Sequence, residues 1–456
     1  MMRRYRFFSL ATATLGGVAS ALVSLAACSS DEPARAFIAN EDAAPEATAN
    51  LPDSGPPVET DAAADAREPF DGSDEVVTCT ANPCVTQITA GDNHFCALLS
   101  DHTVHCWGQA FLAFGNVDAG TPPVFAPRSM GLSNVMQVAS GEDTNCARHD
   151  DGTVQCWGSN YGGAIPTEPP WEDSVPHDPT TAKITGVVHV AVAMRGAVFA
   201  VKETGELWAW GGNDSDQLAR GKETGVYLGP GLTDFSAGCT PGTRGCPKVV
   251  RAGGASMPQS AEGSVAFAIG DDGQLYTWGS STEMVAYPGP IPVSVAGLSN
   301  VGSASATLTH ICAVADGHLY CWGRDGQAAC TGVADAARSP VEIRTKGDAR
   351  PQQVGVSYFR TCVRMDDGTV QCCGADDKGQ SGTGDTDAEA PLSSRGMVET
   401  KGLAGRVVSV AVGQSTTCAL IQGGTVQCWG SNSFGELGQG TADEQRHPVP
   451  VTVHFD

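Results

Sequence analysis

Ten of the chain's seventeen cysteines fall into five pairs of nearly constant spacing: Cys96/Cys106, Cys146/Cys156, Cys312/Cys321, Cys362/Cys372 and Cys418/Cys428. Two thiols so placed can oxidise to a disulfide or supply half of a tetrahedral zinc site. The one departure in spacing separates these chemistries. Four pairs are ten residues apart, as where Asp150-Asp151-Gly152 makes a three-residue turn between Cys146 and Cys156. The pair that is nine apart, Cys312/Cys321, has only Asp316-Gly317 to turn on. One turn residue lost and one residue of spacing lost leave the two Cys opposite each other across a hairpin, within disulfide reach. Zinc would need four ligands to converge, and a two-Cys rung brings two. Each rung closes a loop of about eleven residues, worth roughly 2.5–3 kcal/mol on the chain-entropy model. Two further units carry Phe199/Ala209 and Phe267/Thr277 at these positions, a large and a small side chain filling a similar volume without a bond. Of the remaining cysteines, Cys79/Cys84 and Cys239/Cys246 close short local loops, and Cys330 and Cys373 pair as the remainder.

Other chemistry is sparse. The chain carries no nucleophile elbow, HExxH or P-loop motif. Asp271-Asp272-Gly273 suggests a sialidase Asp-box, but its Trp278 falls two positions late and turn chemistry explains the acids. Asn213-Asp214-Ser215-Asp216 lacks the Gly and distal Glu of an EF-hand loop. His94 and His310 stand at equivalent positions of two units and read as features of a repeat. No cofactor, no metal and no catalytic constellation is expected.

The elements that hold the cysteine rungs recur along the chain. Seven segments close on Trp-Gly or its equivalent: Trp107-Gly108, Trp157-Gly158, Trp210-Gly211, Trp278-Gly279, Trp322-Gly323, Cys373-Gly374 and Trp429-Gly430. Steps of 44 to 68 residues leave room for about four short strands per unit. Small polar loops follow, such as Gly-Glu-Leu-Gly-Gln-Gly at 435–440 and Gly-Gln-Ser-Gly-Thr-Gly at 379–384. The expected fold is an all-β, seven-bladed propeller over 78–456. Units two to seven are each preceded by a Pro/Val strand (122–127 and 290–295 are examples), and the first is not. The orphan strand 448–453 is therefore expected to pair into the first blade and close the ring. With the Trp-Gly strands, turns and loops in register over 79–456, the chain resembles the regulator-of-chromosome-condensation repeat proteins. The resemblance implies a seven-bladed propeller that acts by binding.

At the N-terminus Arg3, Arg4 and Arg6 precede an uncharged stretch from Phe7 to Ala27, and Leu25-Ala26-Ala27 leads into Cys28. The pattern reads as a lipoprotein signal peptide over 1–27, with Cys28 the acylated first residue of the mature chain. Residues 28–77 are rich in Ala, Pro, Asp and Glu. Between Asp31 and Glu75 thirteen residues are acidic and two, Arg35 and Arg67, are basic. Such a segment buries too little to order itself and reads as a disordered tether with a mean reach of roughly 40 Å. An exported, lipid-anchored protein at the outer membrane or cell surface is expected, touching membrane through its anchor alone.

A net charge of −24 repels a phosphate backbone, so nucleic acid is not an expected partner. Guanine-nucleotide exchange, the activity of the repeat family's namesake, does not suit an exported chain. A monomeric protein-binding scaffold does. Two long insertions, 159–184 and 211–248, are free of the repeat's packing demands and put Tyr161, Trp171, Tyr227 and Phe235 forward as partner anchors. The alternative is a carbohydrate-binding or polysaccharide-acting propeller, which needs aromatic platforms and paired carboxylates converging on one face.

Overall fold

The computed structural model describes residues 75–109, 113–115, 124–171, 175–193, 196–221, 223, 225–235, 246–255, 263–280, 289–323, 330, 337–386 and 393–455. Cys28, Cys239, the expected signal peptide and nearly all of the expected tether lie outside them. Twenty-eight strands form seven four-stranded antiparallel sheets, each built from consecutive strands. Blades 1 to 7 span Val85–Ser129, Val135–Thr181, Val187–Leu232, Val249–Ser294, Val301–Ile343, Pro351–Glu399 and Val407–Thr452. The first strands of all seven blades line a central channel. The expected ring of seven blades is what the chain forms.

The cysteine rungs join the second and third strands of their blades. Cys96 lies opposite Cys106, Cys146 opposite Cys156, and Cys312 opposite Cys321 across its shorter turn. Cys362 lies opposite Cys372, and Cys418 opposite Cys428. All five pairs are bonded, with Cα atoms 4.0–4.1 Å apart. Phe199 faces Ala209 and Phe267 faces Thr277 in the same register. Cys246, just before blade 4, is also disulfide-bonded, but Cys239, the partner expected for it, lies outside the described residues. The Gly after each Trp is forced by crowding. Gly108 has φ +104°, and a Cβ there would lie 2.4 Å from the Asn93 carbonyl oxygen.

Blades are joined by three repeated devices. Side chains on one first strand cap the backbone of the next: Gln87 Oε1 accepts from Val138 N–H (2.9 Å), Gln137 from Val190 (2.9 Å) and Gln353 from Val410 (2.9 Å). These contacts cover strand edges that would otherwise stand unpaired. The turn between second and third strands accepts from the first residue of the next blade, as in Val187 N–H to Gly152 O (3.1 Å) and Val407 N–H to Gly368 O (3.0 Å). Buried Trp indoles donate to the preceding blade's loop: Trp210 to Ala164 O (3.0 Å), Trp278 to Gln217 O (2.8 Å) and Trp429 to Gln380 O (2.8 Å).

Ring closure departs from the expected strand exchange. The C-terminal strand Asp443–Thr452 is the fourth strand of blade 7, with Cys428 opposite Val451. Each Pro/Val strand follows its Trp strand and pairs with it, as Val124–Ser129 pairs with Val104–Gly108. The strands thus belong to the blade before the one they were expected to open, and none is left over. The ring closes with the same bonds that join its interior blades. Trp107 Nε1 donates to Glu436 O (2.8 Å), and Val85 N–H donates to Gly424 O (2.9 Å).

Two straps reinforce that seam. Phe455 packs edge-on to Trp107, with ring centroids 5.6 Å apart. At the other terminus Thr78 and Thr80 donate backbone bonds to Gln422 and Gly423 of blade 7 (2.8 and 2.9 Å), and the Cys79–Cys84 bond closes the loop between them and blade 1. The Glu75 carboxylate accepts from Arg406 Nε (2.8 Å) and also pairs with buried Arg364. These two guanidiniums hold the end of the acidic segment against blades 6 and 7.

The junction between blades 5 and 6 is built differently. Blade 6 opens on Pro351, which has no N–H to give the preceding turn. Its Trp position is Cys373, bonded to Cys330 in the loop of blade 5 with Cα atoms 5.3 Å apart. Cys372 and Cys373 are successive residues of one strand, and successive side chains point to opposite faces. Cys372 is therefore committed to its rung with Cys362 inside the blade, while Cys373 is free to reach the neighbouring one. A covalent link stands where both hydrogen-bonded latches are missing.

Candidate protein-docking face

Antiparallel order gives the propeller two unlike ends. One, the turn face, carries the turns between second and third strands and the links from blade to blade. The other, the loop face, carries the turns between first and second strands and the loops between third and fourth.

The loops of blades 2, 3, 6 and 7 on the loop face are each organised by an Asn or Asp just after the Trp-Gly strand. Asn160 Oδ1 accepts from Ile165 N–H (3.0 Å), Asn213 Oδ1 from Leu218 (3.1 Å), Asp376 Oδ1 from Ser381 (2.7 Å) and Asn432 Oδ1 from Leu437 (3.3 Å). The cap bends the loop so that its carbonyls reach the next blade's indole. The calcium-like run around Asp214 is this device: Asn213 caps the loop, and Asp214 accepts from Gln217 Nε2 (3.3 Å). The Asp-box lookalike is a turn, with Asp272 Oδ1 accepting from Gln274 N–H (3.0 Å). The buried histidines tie neighbouring blades. His94 Nε2 lies 2.8 Å from Asn145 Oδ1, and His310 Nε2 lies 3.4 Å from Thr361 Oγ1. Burial lowers the His94 pKa, favouring the neutral ring.

Three of the four aromatic anchor candidates reach the loop face. Tyr161 and Trp171 are 48% and 55% exposed. Asn160 Nδ2 donates to the Trp171 carbonyl (2.9 Å), tying the far part of the loop to its start. Tyr227, at the head of blade 3's fourth strand, is half-buried against Gly163 of the same blade 2 loop, where an added Cβ would lie 2.8 Å from its ring. Phe235 is a correction. It follows that strand at the opposite end of the blade and is buried between blades 3 and 4, its ring centroid 4.8 Å from that of Tyr276. The 211–248 insertion is therefore two segments on opposite sides of a strand, and a hydrophobic residue entering the second is drawn into the crevice.

Two exposed aromatics escape sequence reasoning: Phe359 in the first turn of blade 6 and Phe434 in the loop of blade 7. The signal was a large aromatic in a turn adjoining the repeat rather than in an insertion. Every exposed aromatic side chain among the described residues, Tyr161, Trp171, Phe359 and Phe434, belongs to the loop face.

Carboxylates surround them in contrasting environments. Asp376 and Glu436 are buried, and desolvation raises their pKa values. Asp443 is held down to about 2 by hydrogen bonds, chiefly from Asn432. Glu444 is depressed by bonds from Ser433 and Lys378. Arg360 is fully buried beside exposed Phe359, donates to Gly413 O (3.0 Å) and Thr416 O (3.1 Å), and is pushed by desolvation down to about 10. Each of these groups has a structural occupation. Among the described residues no three His, Cys, Asp or Glu converge to hold a metal ion.

Comparison with known proteins accords with this geometry. The family model for the Regulator of chromosome condensation (RCC1) repeat matches residues 85–110, 135–164, 352–380 and 407–436, the first three strands and adjoining loops of blades 1, 2, 6 and 7. The human E3 ubiquitin-protein ligase HERC2 is 27% identical over 202 residues, covering 41% of this chain and 4% of the ligase. The mitochondrial RCC1 domain-containing protein RUG3 of Arabidopsis thaliana is 24% identical over 275 residues, covering 55% of this chain and 56% of that protein. The chain thus spans less than two thirds of either relative. Among solved structures, yeast RCC1 (Prp20), bound there to Kap60, superposes with a TM-score of 0.62 at 17% identity, over 83% of this chain and 87% of its own.

Proposed function

This chain belongs to the RCC1-repeat β-propeller family, and from that premise we propose that it is a non-catalytic scaffold that binds a protein partner through its loop face. The observation that carries the reading is the confinement of all exposed aromatic side chains among the described residues to one end of the ring. Tyr and Trp provide large, rigid contact areas and are typical interface anchors. The solved complex of yeast Prp20 with Kap60 is a protein-binding precedent on the same fold.

The protein is exported and anchored by lipid on Cys28. The strap from Glu75 to Cys84 lies against the turn of blade 7, so the chain enters the propeller on the turn face. Cys28→Ala should block acylation and signal-peptide processing; a variant that still matures with lipid attached would refute the anchor.

Crosslinking on intact cells identifies the partner, and a combined Trp171→Ala and Tyr227→Ala change then tests the site. Loss of about 2 kcal/mol, some thirtyfold in Kd, is expected with the melting temperature nearly unmoved. Unchanged capture by the double variant would move the site away from the blade 2–3 loops.

A further inference from the structure

Resting on the loop-face reading, we propose that the partner meets this face with a cationic, arginine-rich surface. Charge is divided between the two ends of the propeller. Among the described residues, most lysines and arginines gather at the turn face, where Arg148, Lys202, Lys248, Arg350, Arg364 and Arg406 mingle with the turn aspartates. Among the described side chains, the cations of the loop face and its rim are engaged. Arg360 is buried, Arg220 pairs with Glu223, Lys378 with Glu444 and Arg446 with Asp376. Carboxylates outnumber these cations there. Asp92 and Glu142 border the channel mouth, Asp214 and Asp377 are exposed in the loops of blades 3 and 6, and Glu444 is exposed at the head of blade 7's fourth strand.

An acidic surface alone would attract any cation, including simple salt ions. The exposed aromatics narrow the choice. A guanidinium can stack on an aromatic face while its N–H groups bind a carboxylate, and it is less strongly hydrated than an ammonium. Phe434 is exposed beside an exposed carboxylate: its neighbour Ser433 donates through Oγ to Glu444 (2.9 Å) at the head of blade 7's fourth strand. A ring beside an exposed carboxylate suits an arginine side chain. The field of the whole face would steer such a partner to the loops and not to the strap.

The test uses the whole chain and a defined probe, hen egg-white lysozyme, a basic arginine-rich protein, beside its succinylated form. Two triple variants remove equal charge from opposite ends: Asp214→Asn/Asp377→Asn/Glu444→Gln on the loop face, and Asp101→Asn/Asp151→Asn/Asp272→Asn on the turn face. At low salt the loop-face set should slow association with native lysozyme about tenfold, and the turn-face set less than twofold. Trp171→Ala and Phe434→Ala should speed dissociation, and succinylation should abolish binding. Equal effects of the two charge sets, no binding of native lysozyme at low salt, or preferential binding of a neutral oligosaccharide would overturn the proposal. If aromatic truncation weakens the natural partner while the loop-face charge set does not, the scaffold reading stands and the cationic partner is refuted.

Discussion

The two ends of this propeller are made from the same strands, yet only one is free to become a recognition surface. On the turn face the carbonyls of His102, Gly152, Gly205, Gly273, Gly368 and Gly424 each accept from the first residue of the next blade. The turns are short, and their Asp side chains are used within them, as Asp151 accepts from both Thr153 N–H and Thr153 Oγ1. Changing such a turn loosens the ring. On the loop face the junctions latched by an indole use an Asn or Asp cap and a carbonyl for the next Trp. The residues between are unconstrained, and there the exposed aromatics have gathered. Joining blades at one end thus leaves variation to the other.

The largest contrast this predicts is between two aromatic residues proposed from sequence for the same role. Phe235→Ala should cost about 3–5 kcal/mol in chemical denaturation, since it empties the crevice between blades 3 and 4. Trp171→Ala should stay within about 0.5 kcal/mol. A silent Phe235→Ala would remove the distinction between the ends of that insertion.

The covalent junction sharpens the comparison along the ring. Cys330 and Cys373 are 43 residues apart. Removing their bond with Cys330→Ser/Cys373→Ser should cost about 4 kcal/mol on the chain-entropy model. Native-state hydrogen exchange should then show blades 5 and 6 opening before the Trp-latched pair 6 and 7. Uniform loss of protection around the ring would contradict the special status of this junction.

Loop caps give a middle-sized effect. Asn160→Ala strands the Ile165 N–H and frees the Trp171 carbonyl, and should lower stability by about 1–3 kcal/mol. Partner affinity should fall with it because Trp171 loses its tether. Stability lost with affinity kept would separate the cap from the docking loop.

The smallest effect is a titration. Asp443 has a folded pKa of about 2 against an ordinary 3.8. With the folded value depressed, its stabilisation is complete above roughly pH 4 and is lost as pH falls toward 2. Asp443→Asn should flatten the dependence of Tm on pH within that window. The change should be under about 1 kcal/mol, because the carboxylate lies near solvent.

Spacing made the blades legible. A hairpin rung transmits its register directly into residue counts, so the Cys312/Cys321 pair and its two-residue turn match each other in the sequence itself. The same counting told Cys372 from its neighbour Cys373, since only Cys372 stands ten residues from Cys362. The ring closure was misread because periodicity does not reveal where a repeat begins. The Pro/Val strands could open a unit or end one, and only the pairing of Cys106 with Arg128 assigns them to the blade they follow. Phe235 was misassigned because an insertion has no period to say which end of a strand it leaves by. Phe359 and Phe434 were overlooked for the converse reason: they sit among repeat residues, where exposure depends on neighbours distant in sequence.

The claim that one end of the ring does the binding is tested most directly by placing a photo-crosslinking amino acid at Phe434 on the loop face and, in a separate variant, at Asp151 on the turn face. Replacing Asp151 removes the two bonds it accepts from Thr153, so irradiation is carried out well below the Tm measured for each variant. On irradiation of intact cells the account predicts a discrete protein adduct from position 434 and none from position 151. An adduct formed at position 151, with position 434 silent, would contradict it.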